Sequence, residues 1–429
     1  MARVLALVDG EHYPPVVRAA LQRAALDDEV VGAFLLGGSE KLDGVPDYGV
    51  PLESGGDGSP RAVLDAARRL GAERLLDLSD EPVLGEERRI ALACEALAAG
   101  VEYAAPDLQL RPPKRHALEV PTLAVIGTGK RIGKTSVSGH VARLLADAGR
   151  DVVVVAMGRG GPAEPELVEG SGAPGVAELL ARADAGQHAA SDFLEDAALA
   201  RVTTVGARRC GGGVLGVPYL SNVERAAELA AAQRPDLVVL EGSGACLPPV
   251  AADAVILVHA ADRGSPSAGF NRYRLALSDL VVLTMCDHAR LDAAELARLR
   301  RERPVIETVL EPHPMQPVAG RRVALFTTAA EPRALAERIE QAHGADVVAV
   351  SGALSDRVAL RADLERPDVA AADTYLVEIK AAGIDVVARA GVDRGRDVVF
   401  CDNRPAPMEA GALDAAIHEL AAEAVRAGG

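Results

Sequence analysis

The stretch Val125-Ile126-Gly127-Thr128-Gly129-Lys130-Arg131-Ile132-Gly133-Lys134-Thr135-Ser136 decides the fold. An apolar run enters a glycine-rich turn, and the turn opens a helical pattern over Val137–Ala148. Strand, turn and helix in that order are the plan of a phosphate-binding loop, whose general pattern is G-x-x-x-x-G-K-[ST]. Thr128 stands where the pattern has its first glycine and Gly127 precedes it, so the strict match fails by one residue. The physical needs are met all the same. Glycines let backbone N–H groups turn inward around phosphates, and the helix start adds positive potential. Lys134 can reach the β- and γ-phosphates, and Thr135 can ligate Mg²⁺. The expected nucleotide-binding set is Gly127, Thr128, Gly129, Lys130, Ile132, Gly133, Lys134, Thr135 and Ser136.

Working outward, short apolar runs alternate with helical patterns along the whole chain, which predicts an α/β fold with a parallel sheet. Around the loop, strands are expected at Thr122–Ile126, Asp151–Ala156, Leu237–Leu240, Ala254–His259, Leu280–Met285 and Val305–Leu310. The segment from Gly158 to Gln233 reads as a long insertion, rich in Gly and Ala and with several helical patterns, of the kind that builds a site. Before the loop, strands at Val4–Val8, Val30–Leu36, Arg74–Leu78 and Glu102–Ala105 alternate with helices. Paired prolines in Leu110–Arg115 mark a linker. After Arg322 the alternation resumes to the end. The expected architecture is a P-loop NTPase core (118–320), an N-terminal α/β domain (1–112) and a C-terminal α/β extension (321–429), the last either a separate module or a continuation of the core sheet. At roughly 100–200 residues per domain, the 429 residues allow two to four domains.

A second feature, Pro235–Gly244, is a hydrophobic strand ending in Glu241 and a flexible loop. In nucleotide hydrolases an acid there holds Mg²⁺ or polarises the attacking group. Thr135 and Glu241 are therefore the candidate metal ligands. The histidines show no ligand spacing, and no nucleophile motif is visible.

Composition narrows the classes. The net charge of −16 argues against general binding of nucleic acid or anionic membranes. The longest apolar runs fall far short of the ~20 residues of a membrane helix, and Met1–Asp9 lacks the form of a signal peptide. Five scattered cysteines without a C-x-x-C pair fit a reducing cytoplasm. Lysine is scarce. Only Lys41, Lys114, Lys130, Lys134 and Lys380 occur among 46 basic residues. Where arginine is the default cation, a retained lysine suggests a site that wants a compact ammonium.

The loop and the Glu241-Gly242-Ser243-Gly244 segment resemble dethiobiotin synthetase and its P-loop relatives. With Asp9–Pro14, Leu36–Leu42, Lys130-Arg131 and Ala156–Pro162 added, most of the chain resembles the cyclic 2,3-diphosphoglycerate synthetase family. That resemblance implies an ATP- and Mg²⁺-dependent ligase that closes an internal phosphoanhydride in 2,3-diphosphoglycerate, and it implies a homodimer. The substrate carries a carboxylate and two phosphates, so its site needs several cations and backbone donors. Arg159 follows the second core strand, on the edge where open α/β sheets bind ligands. Arg208-Arg209-Cys210-Gly211-Gly212-Gly213 joins two guanidiniums to what reads as a flexible backbone nest. His12 and Lys41 follow the first two N-terminal strands, which predicts that both loops leave one sheet edge together.

The implied chemistry has two steps. The γ-phosphoryl group of ATP passes to one substrate phosphate, and the other phosphate then closes the ring and expels inorganic phosphate. Lys134 and Lys130, with Arg131, would neutralise charge on the transferred group, and Thr135 and Glu241 would handle Mg²⁺. Thr284-Met285-Cys286-Asp287 lacks the lysine of the GTP-reading N/T-K-x-D motif, which leans towards ATP. Two other readings remain open: a ligase that phosphorylates a carboxylate or carbamate, and a nucleotide switch without enzymatic action on a small molecule.

Overall fold

The computed structural model describes residues 1–42, 44–54, 58–329 and 331–428. Two compact units emerge. One comprises Met1–Lys114 with Pro266–Leu277, the other Arg115–Ser265 with Ser278–Gly429.

The first unit holds β1 (Arg3–Val8), β2 (Glu29–Leu35), β3 (Leu52–Ser54), β4 (Arg74–Asp77), β5 (Glu102–Ala105) and β6 (Leu108–Leu110) in the order β3-β2-β1-β4-β5-β6. All pairs are parallel except β5 with β6. Leu110, expected to begin a linker, is instead the last residue of the antiparallel edge strand Leu108–Leu110. Strand order reverses at β1 and β4, the kind of position where open sheets form a crevice. Asp9 closes this point. Its Oδ2 accepts from the Asp80 N–H at 2.6 Å, and its Oδ1 accepts from the N–H groups of Glu11 and His12.

The second unit is built on one long sheet. Its strands are β7 (Thr122–Gly127), β8 (Val152–Gly158), β9 (Glu166–Val168), β10 (Thr203–Cys210), β11 (Leu220–Ser221), β12 (Leu237–Glu241), β13 (Ala254–Ala260), β14 (Leu280–Thr284), β15 (Val305–Pro314), β16 (Arg322–Phe326), β17 (Asp346–Ser351), β18 (Thr374–Val377) and β19 (Asp397–Pro407). The order is β11-β10-β8-β12-β7-β13-β14-β15-β19-β18-β16-β17, with β9 paired to β10. From β10 to β15 every neighbour is parallel. Such strands are covered on both faces and read as continuous apolar runs. Every residue of β7, β8, β12, β13 and β14 is buried.

One expectation is extended here and one choice between alternatives is made. The region from Gly158 to Gln233 carries helices, Val176–Asp184, Asp192–Ala200 and Val223–Ala231, but it also adds to the sheet. Its Thr203–Cys210 stretch is a strand parallel to β8, short, and charged at its end, so the apolar pattern is weak. The residues after Arg322 continue the core sheet. The C-terminal half of β15 pairs antiparallel with the C-terminal half of β19, from Thr308↔Pro407 to Pro314↔Cys401. Beyond it β19, β18, β16 and β17 are mutually parallel. Because the join uses the carboxyl halves of both strands, the carboxyl ends of the two half-sheets converge. The helix Ala412–Gly428 returns to pack Leu413, Ile417, Leu420, Ala421 and Ala424 against Leu123, Val125 and Ile256 of β7 and β13.

Candidate active site

A cavity of about 670 Å³ lies where those carboxyl ends meet. One wall comes from the loops after β7, β8, β12, β13 and β14. The other comes from Thr328 after β16, Glu378 and Lys380 after β18, and Asn403 on β19. Convergence of strand ends is the physical reason these distant residues share one space.

The loop after β7 is pinned on both sides. Thr128 donates its hydroxyl to His259 Nδ1 at 2.7 Å, and His259 Nε2–H donates to the Gly264 carbonyl at 2.9 Å. Burial keeps His259 neutral by pushing its pKa down, which fits one donor and one acceptor nitrogen. Across the loop, Thr284 Oγ1–H donates to the Ile132 carbonyl at 2.8 Å. Gly127 has no room for a side chain, since a Cβ would come 2.7 Å from Ile132 Cδ1. Gly133 has φ +78°, which favours glycine, and Arg131 takes φ +56° at a steric cost.

Lys134 and Ser136 are buried at the start of the helix Lys134–Asp147, and both lie on the cavity wall with Thr135. Lys134 Nζ donates to Glu241 Oε1 at 2.5 Å. Glu241 is the last residue of β12, registered beside Val125 of β7 and Ala156 of β8. Burial pushes its carboxyl up, but the Lys134 charge together with hydrogen bonds from Asp196, Lys134 and Thr135 outweighs that and holds it below the ordinary range.

Beneath this pair runs the helix Asp192–Ala200, buried on all sides from Phe193 to Ala200. Its apolar residues pack with Ala324, Phe326 and Tyr375 of the C-terminal strands. Its acids face the site chemistry. Burial, then the Glu241 charge, pushes Asp196 well above the carboxylate range. The same two causes raise Asp192, which lies on the cavity wall. Burial pushes Glu195 up to about 8, although Lys380 Nζ stands 3.3 Å away. Glu378 stays ionised. Burial raises it, but the Lys380 charge and donors from Thr327 and Thr328 outweigh that.

Three models of one family match this chain consecutively. The cyclic 2,3-diphosphoglycerate synthetase N-terminal domain matches residues 3–111, its P-loop domain 122–311 and its C-terminal domain 314–404. A protein of Rubrobacter xylanophilus named cyclic 2,3-diphosphoglycerate synthetase is 48% identical over 440 residues, covering 99% of this chain and 98% of that one. Its namesake in Methanothermus fervidus is 40% identical, covering 99% and 97%. This chain belongs to the cyclic 2,3-diphosphoglycerate synthetase family. Among solved structures, LpxK from Aquifex aeolicus, described as in complex with ATP, overlays with a TM-score of 0.44 at 16% identity, covering 72% of this chain and 91% of that one.

Within this family member the expected site residues fall into three places. Gly129, Lys130, Arg131, Ile132, Gly133, Lys134, Thr135, Ser136 and Arg159 line the cavity. Gly127 and Thr128 lie just behind them as the end of β7 and the first loop residue. Glu241 lies under Lys134 rather than on the wall. Arg208 and Arg209 do not line the cavity. They belong to β10, so the expected nest is a strand leading into a hairpin. Arg208 is exposed and its N–H donates to Asn222 Oδ1. Arg209 donates to the carbonyls of Gly211 and Ser243, both at 2.8 Å, clamping the loop after β12. His12 and Lys41 belong to the first unit, where their loops do leave one sheet edge together. The Gly10 N–H donates to the Gly37 carbonyl at 2.9 Å, and Lys41 pairs with Glu11. His12 Nδ1–H donates to Asp9 Oδ1 at 2.8 Å.

The residues that sequence reading missed are Asp192, Glu195, Asp196, Glu378 and Asn403, together with any role for Lys380. Scarcity of lysine was the one available signal, and it pointed to Lys380.

The donors also bear on a divalent cation. Glu241 Oε2 is buried without a hydrogen-bond partner among the described residues, and Thr135 opens the adjacent helix. Hard oxygen donors of this kind suit Mg²⁺. No group of three or more His, Cys, Asp or Glu among the described residues could hold a metal ion.

Proposed function

We infer that this chain uses ATP to close the internal phosphoanhydride of cyclic 2,3-diphosphoglycerate from 2,3-diphosphoglycerate, releasing ADP and phosphate. The observation that carries this reading is the shared cavity, where a phosphate-binding loop meets unrelated cations, Arg159 and Lys380, from other strand ends. A nucleotide alone would not need them. Family membership supports the identity of the acid.

Lys134 leaves Glu241 for the β- and γ-phosphates as nucleotide enters. Lys130 and Arg131 neutralise charge on the group in transfer. One substrate phosphate oxygen attacks the γ-phosphorus, and the bond to ADP breaks. The substrate's second phosphate then attacks the first, forms the ring P–O–P bond and expels inorganic phosphate. No covalent enzyme intermediate is needed, because ring closure is intramolecular and gains a high effective molarity. Thr135 and Glu241 would hold Mg²⁺, which supplies charge neutralisation at the phosphates. Arg159 holds the acid substrate, Arg209 fixes the Ser243–Gly244 loop, and Arg208, His12 and Lys41 offer further anion contacts. The same reading takes 1–112 as a substrate-binding part, 118–320 as the nucleotide part and 321–429 as an extension, in a cytoplasmic homodimer.

Phosphorus NMR of the product tests it. A cyclic pyrophosphate signal with ADP and phosphate in equal amounts is expected. A product derived from an acyl phosphate, or ATP turnover indifferent to 2,3-diphosphoglycerate, would overturn it. Light scattering tests the dimer.

A further inference from the structure

Lys380 is the lysine on the cavity wall that the mechanism above leaves without a phosphate; Arg263 and Arg338, also on the wall, pair with Asp262 and Asp287. It comes from the C-terminal half-sheet, just past β18, whereas Lys130 and Lys134 come from the loop after β7. Its ammonium stands 3.3 Å from Glu195 Oε1, and Glu378 and then Asp402 are the next carboxylates that act on it. Glu378 is committed elsewhere. It accepts from Thr327 Oγ1, from the Thr328 N–H and hydroxyl, and from Asn403 Nδ2.

The backbone presents Lys380 in a tight, strained turn. The Lys380 N–H donates to the Glu378 carbonyl at 2.9 Å, and the Gly383 N–H donates to the Lys380 carbonyl at 2.8 Å. Ala381 takes φ +50°. Gly383 admits no side chain, since a Cβ would lie 2.2 Å from the Glu378 carbonyl oxygen. Strain held this firmly collects where a side chain must be aimed. Lys380 also acts on Asp192, as does His188, and Asp192 Oδ2 lies beside Gly158 at the end of β8. Lys380 therefore belongs to the Arg159 neighbourhood and not to the apolar end lined by Met285, Leu310 and Leu335.

We propose that Lys380 is a phosphate-binding residue for the second polyanion, the phosphorylated acid, with Glu195 as the positioning residue that holds its ammonium at the cavity wall. The arrangement resembles that of Lys134 and Glu241 in its geometry: a buried acid stands beside a lysine until a phosphate takes over. Two such pairs, one per half-sheet, match a reaction between two phosphate-bearing substrates. This assignment rests on the proposed function for the identity of the acid but not for its phosphate.

The test uses Lys380→Met, Lys380→Arg and the double variant Lys380→Met with Glu195→Gln, the last guarding against misfolding from an unpaired Glu195. Calorimetry measures ADP binding, then binding of inorganic phosphate to the Mg–ADP complex. Steady-state kinetics measure KM for 2,3-diphosphoglycerate. Both methionine variants are expected to bind ADP as wild type does, lose phosphate affinity about ten-fold or more, and raise KM for the acid by a similar factor. Lys380→Arg should recover part of both. Phosphate affinity unchanged in the double variant, or an equal loss of ADP affinity, overturns the proposal. If the wild type forms no cyclic product, the proposed function fails, while the phosphate titration still decides the role of Lys380.

Discussion

Lys134 Nζ and Glu241 Oε1 stand 2.5 Å apart with both side chains buried. The P-loop lysine is therefore part of the folded core as well as a ligand for nucleotide, and its removal has two consequences. Lys134→Ala should abolish turnover. It should also lower stability, because Glu241 loses its counter-charge while staying buried; breaking such a pair costs up to about 3–5 kcal/mol. The native carboxyl is held below its ordinary range, so its stabilising share is present at neutral pH and fades as pH falls through the folded value. The deficit of the variant, followed by denaturant unfolding, should shrink on acidification. Wild-type ADP production by Lys134→Ala would refute the role of the loop.

Glu241→Gln keeps the shape and removes the charge. Nucleotide binding should survive in part, the rate should fall by orders of magnitude, and the dependence on Mg²⁺ should weaken. A rate and metal dependence equal to wild type would make Glu241 a structural partner of Lys134 and nothing more.

Glu195 gives a pH signature of the opposite sign. Its folded pKa of about 8 lies above the ordinary 4.5. The folded state then binds more protons than the unfolded state between those values, so stability falls as pH rises through the window. Glu195→Gln should flatten that fall; because it also removes the partner of Lys380, the comparison is of the pH slopes and not of the absolute stabilities. An unchanged pH slope in thermal unfolding would show that Lys380 keeps Glu195 ionised.

Arg159→Ala should separate the two substrates. Among the described residues Arg159 makes no ion pair, yet it lines the cavity. Its loss should weaken the phosphorylated acid by about 1.5–3 kcal/mol, roughly 10- to 150-fold, and spare ATP. Equal weakening of ATP would place Arg159 on the nucleotide.

The N-terminal unit offers its own test. A chain beginning at Pro113 should bind ATP and fail to close the ring. His12→Ala with Lys41→Ala should give a milder loss without unfolding, since Lys41 is exposed and its pairing with Glu11 contributes little. Full affinity of either protein for 2,3-diphosphoglycerate, measured calorimetrically, would remove the substrate from this unit.

What the sequence made legible was whatever lies contiguous along it. The loop from Gly127 to Ser136, Glu241 closing an apolar strand and Arg159 just past another can each be read locally, because strand, turn and helix leave short-range periodicity. The buried acids cannot. Asp192, Glu195 and Asp196 on a short helix look like an ordinary solvated face, and only the packing of Phe326 and Tyr375 over that helix reveals otherwise. Lys380 was visible as a rare lysine, but its place in the cavity depends on β15 pairing with β19, a contact between segments far apart in sequence. The backbone around Arg208 and Arg209 was illegible for a related reason: three following glycines suggested a loose nest, whereas pairing with β8 and β11 fixes both as strand residues.

The helix Ala412–Gly428 lays its apolar side on β7, the strand that carries the phosphate-binding loop. On the ribosome this imposes a timetable. The nucleotide core emerges early, yet part of its covering follows only after the whole C-terminal half-sheet has been made, so until then Leu123 and Val125 lack a neighbour and the nascent loop rests on an unfinished floor. A chain broken off before Ala412 would leave that apolar β7 surface exposed.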